Sequence, residues 1–329
     1  MISCARISPE DWEDVLAFQV RAFGKEAYQA QEGYLCWLYQ ENPFAPSELA
    51  GWVARDTQAD GGVVGVIHTM HLPAVGPGGA MSVHSLQNLY VAEHQRGGLG
   101  MLLVKRALKG ADITLFPGVA PDLANIYQAI RYHEIDTFWG RKLLRPVGIG
   151  VGMGLGKLGI VRSAPHAALL GVTPSQTLIE VLCDRLRRQA QSATQIYVAW
   201  TPELVRWRFF SDNGPRHALF IDPDTPQAFC LASVGMRHNV QVMRLIEYGD
   251  DRAFLADAMA RLRRAGCELA LCYAARPGAR EMVQALGFGP VAPQPTSFVK
   301  ARGGGAPDIL TTPGMTDLGF ESLMQRRTP

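Results

Sequence analysis

The chain has few of the features that mark secreted, disulfide-bonded or membrane proteins. Its six cysteines form no Cys-x-x-Cys pair and stand mostly in apolar runs, which predicts buried, reduced thiols rather than a disulfide framework or a zinc site. The first residues soon reach Glu10 and Asp11, so the apolar core of a signal peptide is missing. No segment reaches membrane-spanning length without charge or repeated glycine. We therefore expect a cytoplasmic protein with no metal site and no inserted membrane segment.

The chain also lacks an excess of charge of either sign. Its formal net charge is only +2, which gives no reason to expect nucleic acid as a partner. Nor does any Ser/His/Asp or Cys/His arrangement indicate a nucleophile that would form a covalent intermediate. The content of hydrophobic residues is 47%, and 329 residues are enough for two globular domains. These properties leave an ordinary soluble enzyme or binding protein as the class to consider.

A glycine-rich turn is the most informative motif that is present. Gln95, Gly98 and Gly100 form a Gln-x-x-Gly-x-Gly pattern between the apolar run that ends at Val91 and an amphipathic helix pattern. No Gly-Lys-Ser/Thr follows, which excludes a Walker loop, and the Gly-x-Gly-x-x-Gly of dinucleotide sites is also missing. Glycines let the backbone approach a ligand, and the first amides of a helix have no intrahelical acceptor. The turn thus predicts a cradle for an anion such as a pyrophosphate.

This turn and its flanking runs resemble the pyrophosphate loop of the GNAT (GCN5-related) N-acyltransferase superfamily, which binds the diphosphate of coenzyme A. The resemblance implies that the backbone of the preceding strand pairs with the pantetheine arm of the cofactor. An ordinary glycine turn before a surface helix is the alternative interpretation. The cofactor-binding residues that the resemblance implies are Leu89, Tyr90, Val91, Gln95, Arg96, Gly97, Gly98, Leu99 and Gly100.

The order of predicted elements indicates two related domains in tandem. The sequence around Trp37 is similar to the sequence around Trp207, 170 positions later. Similar helix and strand patterns follow each tryptophan. We expect the two tryptophans to be core anchors, with aromatic walls of an acceptor cleft as the alternative. The predicted fold class is mixed α/β, with two GNAT-like domains that each hold a mostly antiparallel sheet flanked by helices. The predicted boundaries are 1–147 for the acyl-CoA-binding domain, 148–175 for a glycine-rich connecting segment, 176–301 for a degenerate second domain and 302–329 for a mobile tail.

The second half lacks the anion cradle at the matching turn. Asp250 and Asp251 stand there beside a single glycine, Gly249. An aspartate at a helix start satisfies the free amides itself and would repel a diphosphate. We therefore assign the cofactor to the first half.

Tyr127 is the predicted general acid. The resemblance places a tyrosine at this point of the helix after the fifth strand, where its phenol can protonate the departing thiolate of coenzyme A. Val283 occupies the matching position in the second half and cannot donate a proton. Two departures from the family pattern stand nearby: Arg131 replaces a usual glycine, and Ala120 lies near a position that usually holds asparagine.

His84 is the predicted general base. Strict alternation along the strand would place His84, Leu86, Asn88 and Tyr90 on one face. Glu93 beside the cradle is a second candidate, and a histidine that only makes hydrogen bonds within the sheet is the structural alternative. The pair His68 and His71 is a poor metal site, because residues three apart on a strand point to opposite faces.

The predicted function is an acyl-CoA-dependent N-acyltransferase that moves an acyl group to a primary amine of a small molecule by direct attack. Acetyl-CoA is the expected donor. A longer acyl donor, a sugar or envelope-precursor acceptor, and a non-catalytic protein that senses acyl-CoA remain open as alternatives. Loss of activity on Tyr127→Phe with binding intact would distinguish an enzyme from a sensor.

Overall fold

Helices and strands alternate along both halves of the chain, as the sequence predicts for a mixed α/β protein. The structure is a computed structural model and describes residues 1–25, 27–45, 51–58, 62–119, 123–158, 174–193 and 196–316. The elements of the first part are β1 (Ile2–Arg6), α1 (Trp12–Phe23), α2 (Glu32–Leu35) with a π-helical turn at Cys36–Gln40, β2 (Gly51–Asp56), β3 (Val63–Gly76), β4 (Gly79–Val91), α3 (Leu99–Ala107), β5 (Ile113–Val119), α4 (Ala124–Ala129), β6 (His133–Ile135) and β7 (Phe138–Leu143). Those of the second part are α5 (Pro146–Lys157), α6 (Gln176–Ala193), β8 (Tyr197–Val198), α7 (Pro202–Phe210), β9 (His217–Ile221), β10 (Phe229–Arg237), β11 (Val240–Tyr248), α8 (Arg252–Arg264), β12 (Leu269–Ala274), α9 (Ala279–Ala285), β13 (Gly289–Pro290) and β14 (Thr296–Ala301).

The strands form two sheets, one of eight strands and one of six. The first has the order β1-β2-β3-β4-β5-β14-β6, with β8 paired to β3, and the second has the order β13-β7-β12-β11-β10-β9. In each sheet one central pair is parallel, β4 with β5 and β11 with β12. The other pairs between these strands are antiparallel. The predicted class, two mixed and mostly antiparallel sheets flanked by helices, is confirmed.

The two sheets exchange strands. β7 comes from the first part of the chain but pairs with β12 in the second sheet. β14 comes from the end of the second part but lies between β5 and β6 in the first sheet. The sequence prediction had placed β7 in the domain 1–147 and β14 in the domain 176–301. Those boundaries stay a prediction for the course of the chain, but the sheets do not divide there.

The halves share a hydrophobic core around two tryptophans. Trp37 and Trp207 are both buried in one cluster, which extends from α1 and α2 to α6 and α7. A second cluster fills the space between the first sheet and the helices α3 and α4, and a third lies under α8 and α9. The prediction that both tryptophans anchor the core is thus confirmed. Among the described residues, the helices are too short or too polar for any of them to cross a bilayer.

The glycine-rich stretch after β7 is a helix, which corrects the prediction of a loop or linker. α5 covers Pro146–Lys157, while residues 159–173 of the predicted connecting segment lie outside the described residues. Gly148, Gly152 and Gly156 recur every four residues and share one side. A side chain on Gly148 would collide with Glu268, and one on Gly156 would come within 3.2 Å of Asn239 Nδ2. Close packing on the second sheet therefore outweighs the low helix propensity of glycine.

The segment after β14 is packed into the molecule up to Thr316, which corrects the prediction of a mobile tail from residue 302. Ile309 forms a parallel bridge with Ile196, and a short 3-10 turn covers Pro313–Met315. The fully buried guanidinium of Arg208 donates to the backbone carbonyls of Pro313, Gly314 and Thr316 at 2.6–3.1 Å. Residues 317–329 lie outside the described residues.

Candidate functional site

The first sheet opens between β4 and β5. The two strands pair only from Val83 with Ile113 to Ser85 with Leu115. Beyond that point β5 continues along β14, as far as the pair of Val119 with Thr296. In the described part of the chain, no strand pairs with β4 on this edge between residues 86 and 91. The result is a V-shaped gap between β4 and β5. One wall of this gap is the edge of β4 that no described strand covers.

A β-bulge at Asn88 shapes that wall. The register of β3 with β4 shifts between Val66, which faces Tyr90, and His68, which faces Gln87. Asn88 has a left-handed backbone with φ of 48°, a conformation that asparagine tolerates better than most residues.

The side chain of Asn88 is held from the neighbouring helical region. Its Nδ2 donates to Tyr34 Oη at 2.7 Å, and its Oδ1 accepts from Gln29 Nε2 at 3.2 Å. Sequence reasoning missed Asn88 as a site residue. The available signal was an asparagine, a residue that strands disfavour, inside the strand pattern that leads to the glycine-rich turn.

The glycine-rich turn forms a cradle at the end of β4. Gly98 is the N-cap of α3 with a left-handed φ of 106°, which glycine adopts without strain. A Cβ built on Gly97 or Gly98 would meet nothing within 4 Å, so the space above both residues is open. The first amides of α3 have no partner within the helix, and the helix dipole adds positive potential there. The local geometry therefore suits an anion.

Most of the predicted cofactor residues line one continuous cleft of about 580 Å³. Gln95 and Leu99 do not line it, because the Gln95 amide donates to Asp56 at 3.3 Å and Leu99 is buried in the core. The lining also includes apolar residues that sequence reasoning did not single out, and two of them, Leu123 and Ile126, are among the exposed large hydrophobic side chains. The residues of this cleft are Leu89, Tyr90, Val91, Arg96, Gly97, Gly98, Gly100, Met101, Val104, Leu123, Ile126 and Tyr127.

Tyr127 lies on α4 and lines the same cleft. Its ring stacks on Phe298 of β14 at 5.5 Å and meets Phe116 edge-on at 4.5 Å. Burial raises the pKa of the Tyr127 phenol to about 12, so the phenol stays protonated near neutral pH. The exchanged strand β14 thus helps to fix a protonated hydroxyl beside the gap. Ala120 lies outside the described residues.

The position of Arg131 explains why a glycine is usual there. Arg131 follows α4 with a left-handed φ of 63°, and Tyr132 N closes the helix end by donating to Tyr127 O at 3.0 Å. The second half repeats this ending with Gly287, whose φ is 86°, and with Phe288 N donating to Val283 O at 3.1 Å. The departure from the family pattern changes the residue but not the backbone.

The structure does not bring His84 to the cleft, which corrects its predicted place. The ring of His84 lies 3.9 Å from that of His71, in the region of Ala107 at the end of α3. Burial lowers the pKa of His84. The bulge at Asn88 breaks the alternation on which the prediction depended, so Tyr90 packs against Phe18 on the opposite face. A base role for His84 has no support from this geometry.

The other candidate polar residues also lie apart from the gap. Glu93 is 82% exposed in its side chain and lies 3.6 Å from Arg96. His68 contacts Gln19 and Tyr39 on the face opposite to His71, as the strand alternation predicts.

The matching gap of the second sheet is filled by the chain itself. Only a cavity of about 20 Å³ is left between β11 and β12, and Thr311, Thr312 and Pro313 help to line it. The Thr312 hydroxyl donates to the carboxyl group of Glu247, whose pKa burial raises to about 7. Asp251 caps α8 by accepting from Phe254 N at 2.9 Å. The C-terminal segment thus occupies this second gap, and the aspartate at the start of α8 satisfies its first amides itself.

Comparison with known proteins finds solved structures with a similar fold but no similar sequence. No family model and no curated protein matches the sequence. Among solved structures, N-myristoyltransferase of Saccharomyces cerevisiae with bound myristoyl-CoA is similar with a TM-score of 0.60 and 13% identity, over 91% of this chain and 82% of that chain. A GCN5-related N-acetyltransferase from Kribbella flavida is similar with a TM-score of 0.55 and 15% identity, over 92% of this chain and 72% of that one. Another from Anabaena variabilis has a TM-score of 0.54 and 12% identity, over 92% and 73%. The chain therefore shares the fold of these acyltransferase structures, in the tandem layout that its sequence predicted.

Proposed function

We propose that this protein is an acyl-CoA-dependent N-acyltransferase whose cleft lies between β4 and β5 of the first sheet. One observation carries the proposal: the open cradle, the unpaired edge of β4 and the protonated phenol of Tyr127 line a single cleft. The solved structure of yeast N-myristoyltransferase, which holds myristoyl-CoA, supports acyl-CoA as the donor class.

The residues of the cleft fit each part of such a donor. The amides at the start of α3 and the cation of Arg96 suit the diphosphate. The edge of β4 that faces the gap at Leu89, Tyr90 and Val91 suits the pantetheine arm, which can add to a strand edge through main-chain hydrogen bonds. Tyr127 then lies on the wall of the same cleft, where the thioester would be held.

The proposed reaction is direct attack of a neutral primary amine on the thioester carbon. The new C–N bond forms, the C–S bond breaks, the nitrogen releases its extra proton to solvent, and the phenol of Tyr127 gives its proton to the departing thiolate. Solvent returns a proton to Tyr127 after the product leaves. The acceptor is proposed to be a small-molecule amine, and acetyl-CoA is the first donor to test, with myristoyl-CoA as the longer alternative.

Calorimetry with both donors tests the cofactor site. Wild type should bind one of them, and Gly98→Glu should abolish binding, because the new carboxylate fills the open space and repels the diphosphate. Gly278→Glu is a matched control, since Gly278 is also a left-handed helix N-cap with open space around it, but in the second half. The control should bind like wild type. If neither donor binds wild type, or if both variants lose binding equally, the proposed site is wrong.

A further inference from the structure

The helix α5 presents large apolar side chains to solvent. Val147 is 82% exposed and Leu158 74%, while Val151 and Met153 are each 53% exposed. Val147, Val151 and Leu158 share one side at helical spacing, with only glycine between them on that side. Single exposed apolar residues are ordinary on a protein surface, but a contiguous apolar face marks a contact with another phase or molecule.

The packing of α5 keeps this face outward. The glycine side of the helix, with Gly148, Gly152 and Gly156, packs against the turn residue Asn239 and against Glu268. Ile149 packs onto the small cluster of Val240, Val242 and Leu271. The helix is therefore held on the second sheet by one side, and rotation of the apolar face into the core would bring side chains where only glycine fits.

The charged residues next to α5 in the sequence have one sign, while Glu268 packs on the glycine side of the helix. The sequence contains no aspartate or glutamate between Asp136 and Glu180. Arg145 directly before the helix and Lys157 at its end are both exposed. An apolar face bracketed by cations complements a surface that is apolar inside and negatively charged at its edge, which describes an anionic lipid bilayer.

The outward face of α5 offers no hydrogen-bonding side chain between Val147 and Val151 or at Leu158. Its glycines have no side chain, and its valines and leucine have no hydrogen-bonding atom. A helix of 12 residues is about 18 Å long, shorter than the hydrocarbon core of a bilayer. We propose that α5 lies in the headgroup region of an anionic membrane and docks the protein there through Val147, Val151 and Leu158, with Arg145 and Lys157 over the lipid phosphates.

Co-sedimentation with lipid vesicles tests this proposal. The full-length protein should bind vesicles of phosphatidylcholine with phosphatidylglycerol and bind vesicles of phosphatidylcholine alone much more weakly. Lys157→Gln should lower the partition coefficient about fivefold, because each cation near an anionic surface contributes about that factor. Val151→Glu should lower it by more, since it removes apolar contact and adds repulsion. Raised salt should weaken binding of the wild type.

Val20→Glu is the matched control, because Val20 is also a partly exposed valine on a helix, α1, at 37% exposure. It should bind vesicles like wild type. Coenzyme A binding by Val151→Glu should be unchanged, which separates this proposal from the proposed function. The proposal is overturned if wild type ignores anionic vesicles or if both lipid mixtures bind it equally. It is also overturned if sedimentation velocity without lipid shows a dimer that Val151→Glu dissociates, since a second copy would then cover the face.

Discussion

The indole rings of Trp37 and Trp207 stack with their centres 5.0 Å apart, and each indole donates a hydrogen bond to the backbone carbonyl of the other residue. The two donor–acceptor distances are 3.3 Å and 2.6 Å. Such a reciprocal contact is what two copies of one motif make when they meet face to face. The two similar sequence motifs, 170 positions apart, are therefore related by a local two-fold axis where their tryptophans meet.

Trp207→Ala should lower the free energy of unfolding by about 3–5 kcal/mol, the usual loss for a large aromatic side chain removed from a core. Urea unfolding followed by circular dichroism measures this loss. Trp52→Ala is the comparison, because Trp52 is only partly buried. An equal loss for both variants would contradict a special role of the stacked pair.

Tyr127→Phe should lower kcat about a hundredfold or more once a donor and an acceptor are known, because general acid catalysis contributes at least that factor. Binding of the acyl-CoA should change little, since the ring and its packing on Phe298 remain. Tyr132→Phe is the neighbouring control, as Tyr132 bonds to Thr114 rather than lining the cleft. Unchanged turnover in the Tyr127 variant would leave the phenol with no catalytic part.

Arg131→Gly should stabilise the protein by about 1 kcal/mol, because Arg131 has a left-handed backbone that costs about that much for a residue with a side chain. The reverse change in the second half, Gly287→Ala, should destabilise the protein by a similar amount. The new Cβ would meet only Lys142 at an ordinary 3.5 Å, so the cost comes from the left-handed backbone of Gly287. Thermal unfolding of the two variants measures both effects. A destabilised Arg131→Gly would show that the arginine side chain has a role of its own.

Acidification should destabilise the fold through His68. Burial lowers its pKa from 6.5 to about 3, so the unfolded chain binds a proton at a higher pH than the folded protein does. The contribution of neutral His68 to the free energy of unfolding is fully present above pH 6.5. It is lost as the pH falls from 6.5 toward 3, by about 2 kcal/mol at pH 5. Urea unfolding at neutral pH and near pH 5 should show a smaller acid loss in His68→Gln. His94→Gln, at an exposed position, should keep the full loss.

Local features of the site could be predicted from the sequence, because they depend on neighbouring residues. Gly98 at the start of α3 is the clearest case, since strand, glycine turn and helix are all contained in one short stretch. Tyr127 was found through the family resemblance and does line the cleft. Asp251 was correctly expected to cap its helix, because an N-cap is a contact within three residues.

The features that the sequence could not predict depend on interactions between distant segments. The low helix propensity of glycine favours a loop at residues 148–156. The helix α5 forms there because its glycines pack closely against Glu268 and Asn239. The bulge at Asn88 is held by Tyr34 and Gln29. It shifts the alternation of side chains along β4, so His84 and Tyr90 lie on opposite faces and His84 does not reach the cradle. The exchange of β7 and β14 pairs residues well over a hundred positions apart, such as Leu143 with Leu269, which leaves no local trace in the sequence.

The position of β14 has a consequence for how the protein is made. The ribosome synthesises residues 296–301 long after β5 and β6, yet these residues form the strand between those two and place Phe298 under Tyr127. Most multidomain proteins can complete their N-terminal domain during synthesis. Here the first sheet and the wall of its cleft cannot close until β14 has left the ribosome. Folding of the cleft therefore waits for the synthesis of β14, and a chain that ends before β14 cannot complete it.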